Sequence, residues 1–242
     1  MSDKMQKVAL VFGGSRGIGA AAATRLAEDG FAVALTYVSR PDKAEQVVRT
    51  IEEGGGRAMA IAADSADPAA IRAAVAQAVE RFGPIDSVVV NAGILRLATV
   101  DAFGLEDLDR MLDINVRGVF LAIQAATAQM RDGGRVITIG SNTAIRASVR
   151  GSSVYAMTKA VATMVKGIAL DLAPRRITVN NIQPGPTDTD MTEGHIPALT
   201  GMVPLGRVGQ PREIATLVSY LAGDESGYMT GASLTIDGGF VL

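Results

Sequence analysis

Seven short apolar runs alternate with longer helix-patterned stretches along this chain, and that alternation limits the folds open to it. The runs are Val8–Phe12, Phe31–Tyr37, Arg57–Ala62, Ile85–Asn91, Gly134–Ile139, Ile177–Gln183 and Ser233–Ile236. Between them the helical period recurs near Gly17–Asp29, Lys43–Glu53, Pro68–Phe82, Leu105–Met130, Ser153–Leu172 and Arg212–Leu221. Strands this apolar, separated by helices, belong in a parallel sheet covered on both faces. Right-handed crossovers then predict a doubly wound Rossmann α/β fold, with a seven-stranded parallel sheet flanked by helices. A chain of 242 residues, 48% hydrophobic, suits one such domain over 1–242.

In a sheet of this kind ligands bind beyond the carboxyl ends of the strands. The first strand runs into Gly13-Gly14-Ser15-Arg16-Gly17-Ile18-Gly19, which opens an alanine-rich helix. Glycine lets backbone approach a bulky anion, and a helix N-terminus attracts negative charge. The spacing is G-x-x-x-G-x-G rather than the G-x-G-x-x-G of the general dinucleotide fingerprint. A tight strand-to-helix connection would account for one or two of these glycines, but less well for three. Further along, Tyr155 and Lys159 stand four residues apart in a helical run, so phenol and ammonium share a face. A phenol has a reference pKa of about 10, and a fixed ammonium nearby favours the phenolate. The pair is a candidate general acid/base.

Composition removes other chemistries. There is no cysteine, hence no disulfide and no thiolate nucleophile, in keeping with a reducing cytoplasm. One histidine, His195, argues against a histidine-rich metal site or a Ser-His-Asp triad, and no metal is expected. Net charge is −2 without a basic stripe, so no nucleic-acid partner is expected. No apolar run approaches the roughly 20 residues of a membrane span, and the polar start of the chain predicts no signal peptide. The least regular stretch, 188–209, is predicted to be a substrate lid, with an ordinary long loop as the alternative.

Taken together, these motifs resemble those of the short-chain dehydrogenase/reductase family, in its single-domain type, over about Lys7 to Gly239. The glycine turn is similar to the family's TGxxxGxG, and Val90-Asn91-Ala92-Gly93 to its NNAG. Asn115 matches its helical asparagine, Ser141 its serine, Tyr155 to Lys159 its YxxxK, and Pro184-Gly185-Pro186-Thr187-Asp188-Thr189 its PGxxxT. The resemblance implies a tetrad of Asn115, Ser141, Tyr155 and Lys159. Tyr155 would protonate a substrate carbonyl as hydride arrives from a nicotinamide, and Ser141 would hydrogen-bond the same oxygen. Lys159 would lower the Tyr155 pKa and hold the nicotinamide ribose, while Asn115 would hold a water passing protons to Lys159. Singly, Tyr155, Ser141 and Asn115 have plainer readings: a helix-surface aromatic, a strand-end turn residue and a satisfied core amide. The chain departs from the family pattern at Phe12, Val90 and Gly140. Ser141 also lies 14 residues before Tyr155, one more than the common spacing.

Cofactor choice is read at the end of the second strand. An NAD enzyme places a carboxylate about 20 residues past its fingerprint. Here Tyr37-Val38-Ser39-Arg40 holds no acid, and the first is Asp42. Guanidinium and hydroxyl groups bind a 2′-phosphate, so Arg16, Ser39 and Arg40 point to NADP(H), with Tyr37 also expected at the cofactor. The alternative is that both arginines are solvated. The resemblance adds Asp64 and Ser65 at the adenine, Asn91, Ala92 and Gly93 behind its ribose, and Pro184, Gly185, Thr187 and Thr189 near the carboxamide.

A pocket wall of Ile94, Leu95, Ile145, Met191, Ile196, Leu199, Met202 and Val203 would suit a hydrophobic ketone, though plain core is the alternative. Expected, then, is an NADPH-dependent carbonyl reductase acting on a ketone or 3-oxoacyl substrate. Two alternatives stay open: a non-enzymatic nucleotide-binding regulator like those of biofilm dispersal, and an NAD-dependent alcohol dehydrogenase. The resemblance also implies a homotetramer.

Overall fold

The computed structural model describes residues 6–160 and 162–242. Seven strands form one parallel sheet in the order β3-β2-β1-β4-β5-β6-β7. They are β1 Val8–Phe12, β2 Ala32–Tyr37, β3 Arg57–Ala62, β4 Ile85–Val90, β5 Met130–Ile139, β6 Thr178–Pro184 and β7 Ser233–Ile236. The order reverses between β1 and β4, the switch point at which a doubly wound sheet opens a ligand crevice. Because every strand is parallel, the ends Phe12, Tyr37, Val90, Ile139 and Pro184 all reach one edge.

Alternation along β1 divides the core. Leu10 and Phe12 face one layer, containing α3 (Pro68–Phe82), α5 (Val119–Ala128) and α7 (Ala162–Leu172). Ala9 and Val11 face the other, with α1 (Gly17–Glu28) and α9 (Pro211–Ala222). Strands buried on both faces cannot show a polar period, which is why their sequences read as continuous apolar runs. A fully buried Leu or Ile contributes about 2 kcal/mol of hydrophobic stabilisation; Leu10, Leu26, Ile137 and Ile182 are of this kind.

The single helix expected over Leu105–Met130 is instead three pieces. α4 spans Leu105–Leu112, a π-helical segment spans Asp113–Gly118, and α5 ends at Ala128. Gly118 is needed there, because a Cβ would come 2.2 Å from the Ser65 carbonyl oxygen. Met130 already belongs to β5, ahead of the predicted Gly134 start: it pairs with Ile85 of β4, and a register shift follows before Arg135 pairs with Ser87. The expected Ser153–Leu172 helix is described as α6 (Ser153–Lys159) and α7, with Val161 outside the described residues. The remaining helices are α2 (Pro41–Glu53) and α8 (Ile196–Thr200), the latter inside the stretch read only as irregular. Residues 1–5, on which the expectation of no signal peptide rested, lie outside the described residues. No helix among the described residues is long and apolar enough to cross a membrane.

Candidate active site

The glycine turn is locked to its neighbours by backbone chemistry. Gly13 N–H donates to Thr36 Oγ1 at 2.9 Å and Gly14 N–H to the Thr36 carbonyl at 2.9 Å. Asn91 Nδ2 donates to the Gly13 carbonyl at 2.8 Å, tying the turn to the end of β4. Gly19 admits no side chain, since a Cβ would stand 2.1 Å from the Gly13 oxygen and 2.5 Å from Asn91 Nδ2. Arg16 is the N-cap of α1 and makes no side-chain cap hydrogen bond, so among the described residues the first-turn N–H groups at Gly17, Ile18 and Gly19 are free to bind an anion. Phe12 and Val90, the two apolar departures from the family pattern, are register partners and are both buried in the same core layer. Both stand where the family pattern has polar residues.

At the neighbouring strand ends, four side chains converge. Lys159, 7% exposed, lies one turn after Tyr155, with its Nζ 5.4 Å from the Tyr155 ring centroid. Its one hydrogen bond among the described residues is a long contact of 3.4 Å to the Ile139 carbonyl. Gly93 lies beside the ammonium: a Cβ there would stand 3.5 Å from Nζ, an ordinary contact distance. Ser141 caps a short 3₁₀ turn, Asn142–Ala144. Its hydroxyl donates to Thr143 Oγ1 at 3.0 Å and accepts from Thr143 N–H at 3.1 Å. Asn115 is 1% exposed on the π-helical segment. Its Oδ1 accepts from Ile94 N–H at 2.9 Å, and its Nδ2 donates to the Ile94 carbonyl at 2.9 Å and to Thr158 Oγ1 at 3.2 Å. Both ends of the amide are therefore committed to the chain leaving β4.

A cleft of about 280 Å³ opens over Ser141, Tyr155 and Lys159; Asn115 is buried behind Ile94 and does not line it. Ile18, Asn91, Gly93, Ser141, Tyr155, Lys159, Pro184, Gly185, Thr187 and Thr189 all line it. Of the expected apolar wall, Ile94, Leu95, Met191 and Leu199 are present. Ile145 and Met202 are not. Ile145 follows the 3₁₀ turn and is 56% exposed, and Met202 follows α8 and is 46% exposed, so both turn to solvent. Ile196 lines a separate, open depression, and Val203 is buried against Gly238.

The sequence reading missed Leu97, Ser148, Val149 and Phe240, which also line the cleft. Loops bring them in, and loops carry no periodic signal. Ala98 N–H donates to the Gly151 carbonyl at 3.2 Å, which seats the long serine loop against the chain after β4. Asp237 accepts from Asn142 Nδ2 at 3.2 Å and from the N–H groups of Gly239 and Val241 at 2.9 and 3.1 Å, and so carries Phe240 to the cleft. Gly140, the third departure from the family pattern, is enforced by β6: a Cβ would lie 2.7 Å from Asn181 Oδ1. That oxygen already accepts from buried Thr138 Oγ1 at 2.9 Å. Gly140→Ser is therefore expected to destabilise the fold by about 1–3 kcal/mol through overpacking, read as a lowered Tm in thermal melts.

The expected cofactor contacts farther out are charged and paired. Arg40 grips Asp42 with two bonds, of 3.0 and 2.7 Å. That hydrogen bond holds the Asp42 carboxyl down to about 2, so Asp42 stays ionised across the physiological range. Arg16 Nη1 meets Asp190 Oδ2 at 3.2 Å. Burial pushes the Asp64 carboxyl up, yet Ala66 N–H and the Arg110 guanidinium together hold it below the ordinary carboxylate range. Tyr37 and Ser39 lie at the end of β2 and just beyond it, and Ser65 is buried at the end of β3. Among the described residues, no group of three His, Asp or Glu side chains is placed to hold a metal ion.

Known proteins are similar to this chain in sequence and fold. The family model for Enoyl-(Acyl carrier protein) reductase matches residues 13–241. The chain is 42% identical to the cyclic-di-GMP-binding biofilm dispersal mediator protein of Escherichia coli K12, over 97% of each chain. A short-chain dehydrogenase/reductase from Serratia marcescens superposes with a TM-score of 0.95 at 51% identity, covering 98% of this chain and 99% of that one. A blue fluorescent protein from a metagenomic library, solved in complex with NADPH, superposes with a TM-score of 0.94 at 49% identity, over 98% of each chain.

Proposed function

We propose a function from one premise: this chain belongs to the short-chain dehydrogenase/reductase family. On it, the protein is an NADPH-dependent carbonyl reductase that converts a ketone or 3-oxoacyl substrate to a secondary alcohol. The observation that carries this reading is the Lys159 ammonium, buried beside Tyr155 at the head of the cleft with one long hydrogen bond. A buried ammonium has three donors to satisfy, and ribose hydroxyls together with the Tyr155 oxygen would satisfy them.

The residues present fit a phosphorylated dinucleotide. The uncapped start of α1 suits its pyrophosphate, Asp64 and Ser65 its adenine, Asn91, Ala92 and Gly93 the adenine ribose, and Thr187 and Thr189 its carboxamide. Arg16, Ser39 and Arg40 suit the 2′-phosphate, and the NADPH complex of the metagenomic relative supports that choice. When bound, NADPH supplies the hydride. Tyr155 delivers its hydroxyl proton to the substrate carbonyl oxygen as that oxygen gains charge. Ser141 turns its hydroxyl hydrogen from Thr143 Oγ1 to the same oxygen and stabilises it. Asn115 is a positioning residue, holding Ile94 at the cleft wall and Thr158 on α6. The apolar wall of Ile94, Leu95, Met191 and Leu199 takes the substrate's hydrocarbon.

The stretch 188–209 serves as the lid. Its ends meet, with Asp188 N–H donating to the Gly209 carbonyl and Gly209 N–H to the Pro186 carbonyl, both at 2.9 Å. A loop closed at its base can move as a flap without disturbing β6. The reading includes a homotetramer using the helices around Leu105–Met130 and Ser153–Leu172, on which Phe120 and Leu170 are exposed, with the C-terminal Gly231–Leu242 as a second contact, and a reducing cytoplasm, which suits a chain without cysteine.

A second reading, a nucleotide-binding regulator, is favoured by the 42% identity to the biofilm dispersal mediator. A pure binder has no need of Ser141, Tyr155 and Lys159 over one cleft. NADPH oxidation against ketones, 3-oxoesters and a 3-oxoacyl thioester, with NADH in parallel, separates the two. Turnover with NADPH is expected; NADPH binding without turnover across the panel would favour the regulator. In the same assay Arg40→Ala is expected to raise the NADPH KM about tenfold, the usual loss for a charged phosphate contact, with the NADH KM little changed. If both move together, Arg40 does not read the 2′-phosphate and the NAD-dependent alternative gains.

A further inference from the structure

Arg16 and Asp190 are separated by 174 residues in sequence, yet their side chains meet at 3.2 Å. Arg16 belongs to the glycine turn, and Asp190 to the segment leaving β6 at the base of the lid. The two segments are in close packing. Gly17 has a φ of +52°, and a Cβ there would lie 3.2 Å from the Thr189 methyl group. Asp190 contacts Arg16 directly, and its charge is only a minor influence on Arg40, which is held by Asp42.

The four charges form two unequal pairs. Arg40 and Asp42 are near neighbours in sequence and share two short hydrogen bonds. Arg16 and Asp190 share one long contact, and each side chain is about 60% exposed, at 59% and 60%. Two cations and two carboxylates leave the patch with no net charge for an incoming phosphate. A 2′-phosphate carries close to two negative charges and accepts from guanidinium through several oxygens, so it outcompetes one carboxylate oxygen at 3.2 Å. The weaker pair is the one that yields.

Resting on the NADPH reading above, we propose that Asp190 is a cofactor-specificity residue: an internal stand-in for the 2′-phosphate that occupies Arg16 until a phosphorylated dinucleotide replaces it. NADPH must break this ion pair and NADH need not. The pair therefore lowers NADPH affinity selectively and holds the lid base against the glycine turn. A ligand shifts a conformation only through such a difference in interaction. NADPH alone thereby releases residues 188–190 from Arg16.

The test is a double-mutant cycle read by cofactor fluorescence, as dissociation constants of NADPH and NADH for the full chain. Asp190→Asn is expected to tighten NADPH binding about three- to fivefold, the upper range for an exposed ion pair, and to leave NADH binding within error. In an Arg16→Ala background the same substitution is expected to change neither constant. Equal tightening of both cofactors would overturn the proposal, because Asp190 would then act only on the shared part of the dinucleotide. Selective tightening that persists without Arg16 would also overturn it, since it would show plain charge repulsion. If Arg16→Ala alone leaves the ratio of the two constants unchanged, Arg16 does not read the phosphate, and it is the cofactor assignment of Arg16 that fails.

Discussion

Tyr155→Phe is expected to lower kcat about 10³-fold while the NADPH dissociation constant stays within about twofold. The substitution removes one oxygen and keeps the ring, so the packing of α6 and the contact of the ring with Lys159 Nζ are retained. What is lost is the proton donor to the carbonyl oxygen, and a positioned general acid contributes about 10²–10⁴-fold. Ser141 stays in place to hydrogen-bond that oxygen, so some turnover should remain. Single-turnover NADPH oxidation reads the chemical step, and a fluorescence titration reads binding. Turnover at the parental rate would remove Tyr155 from the mechanism. A loss of NADPH binding equal to the loss of rate would give the phenol a binding role instead.

The second large effect is on stability. Asn115→Ala is expected to cost about 3 kcal/mol, because it leaves the part-buried Ile94 N–H and carbonyl without their partners and a void where the Asn115 side chain, 1% exposed, is packed. For a chain of this size that corresponds to a Tm lower by about 6–12 °C. The loss should be present without cofactor, which separates a positioning role from one confined to proton transfer. An unchanged Tm together with a collapsed kcat would return Asn115 to the water-holding role that the family resemblance implies.

The contrast at Asn115 shows how far the sequence could be read. Its type and its place before Gly118 were legible, and so was the family's interest in it. Its partner was not, since Ile94 is reached only when β4 is laid beside the π-helical segment. That segment was itself missed, because a single wide turn leaves the apolar pattern of Leu105–Met130 intact. Tyr155 and Lys159 were easier: one helical turn relates them, so their spacing is their geometry. Ile145 and Met202 show the opposite case. They have the chemistry of a pocket wall, but the serine loop and the turn after α8 direct them to solvent.

The sequence by itself determined the parallel sheet, the glycine turn at the first strand end and the shared helical face of Tyr155 and Lys159; Asn115 and Ser141 were named only through the family resemblance. The first three depend on short-range order, either a period along one element or a motif within one turn. Only the tertiary structure decided what those groups touch. It joined Phe12 to Val90, closed Asp237 on the serine loop, and set Asp190 against Arg16 across 174 residues. Charge and polarity are written residue by residue, but an ion pair or hydrogen bond depends on distance. Between remote segments, that distance is set by the packing of the helices on the sheet and by the loops that join them.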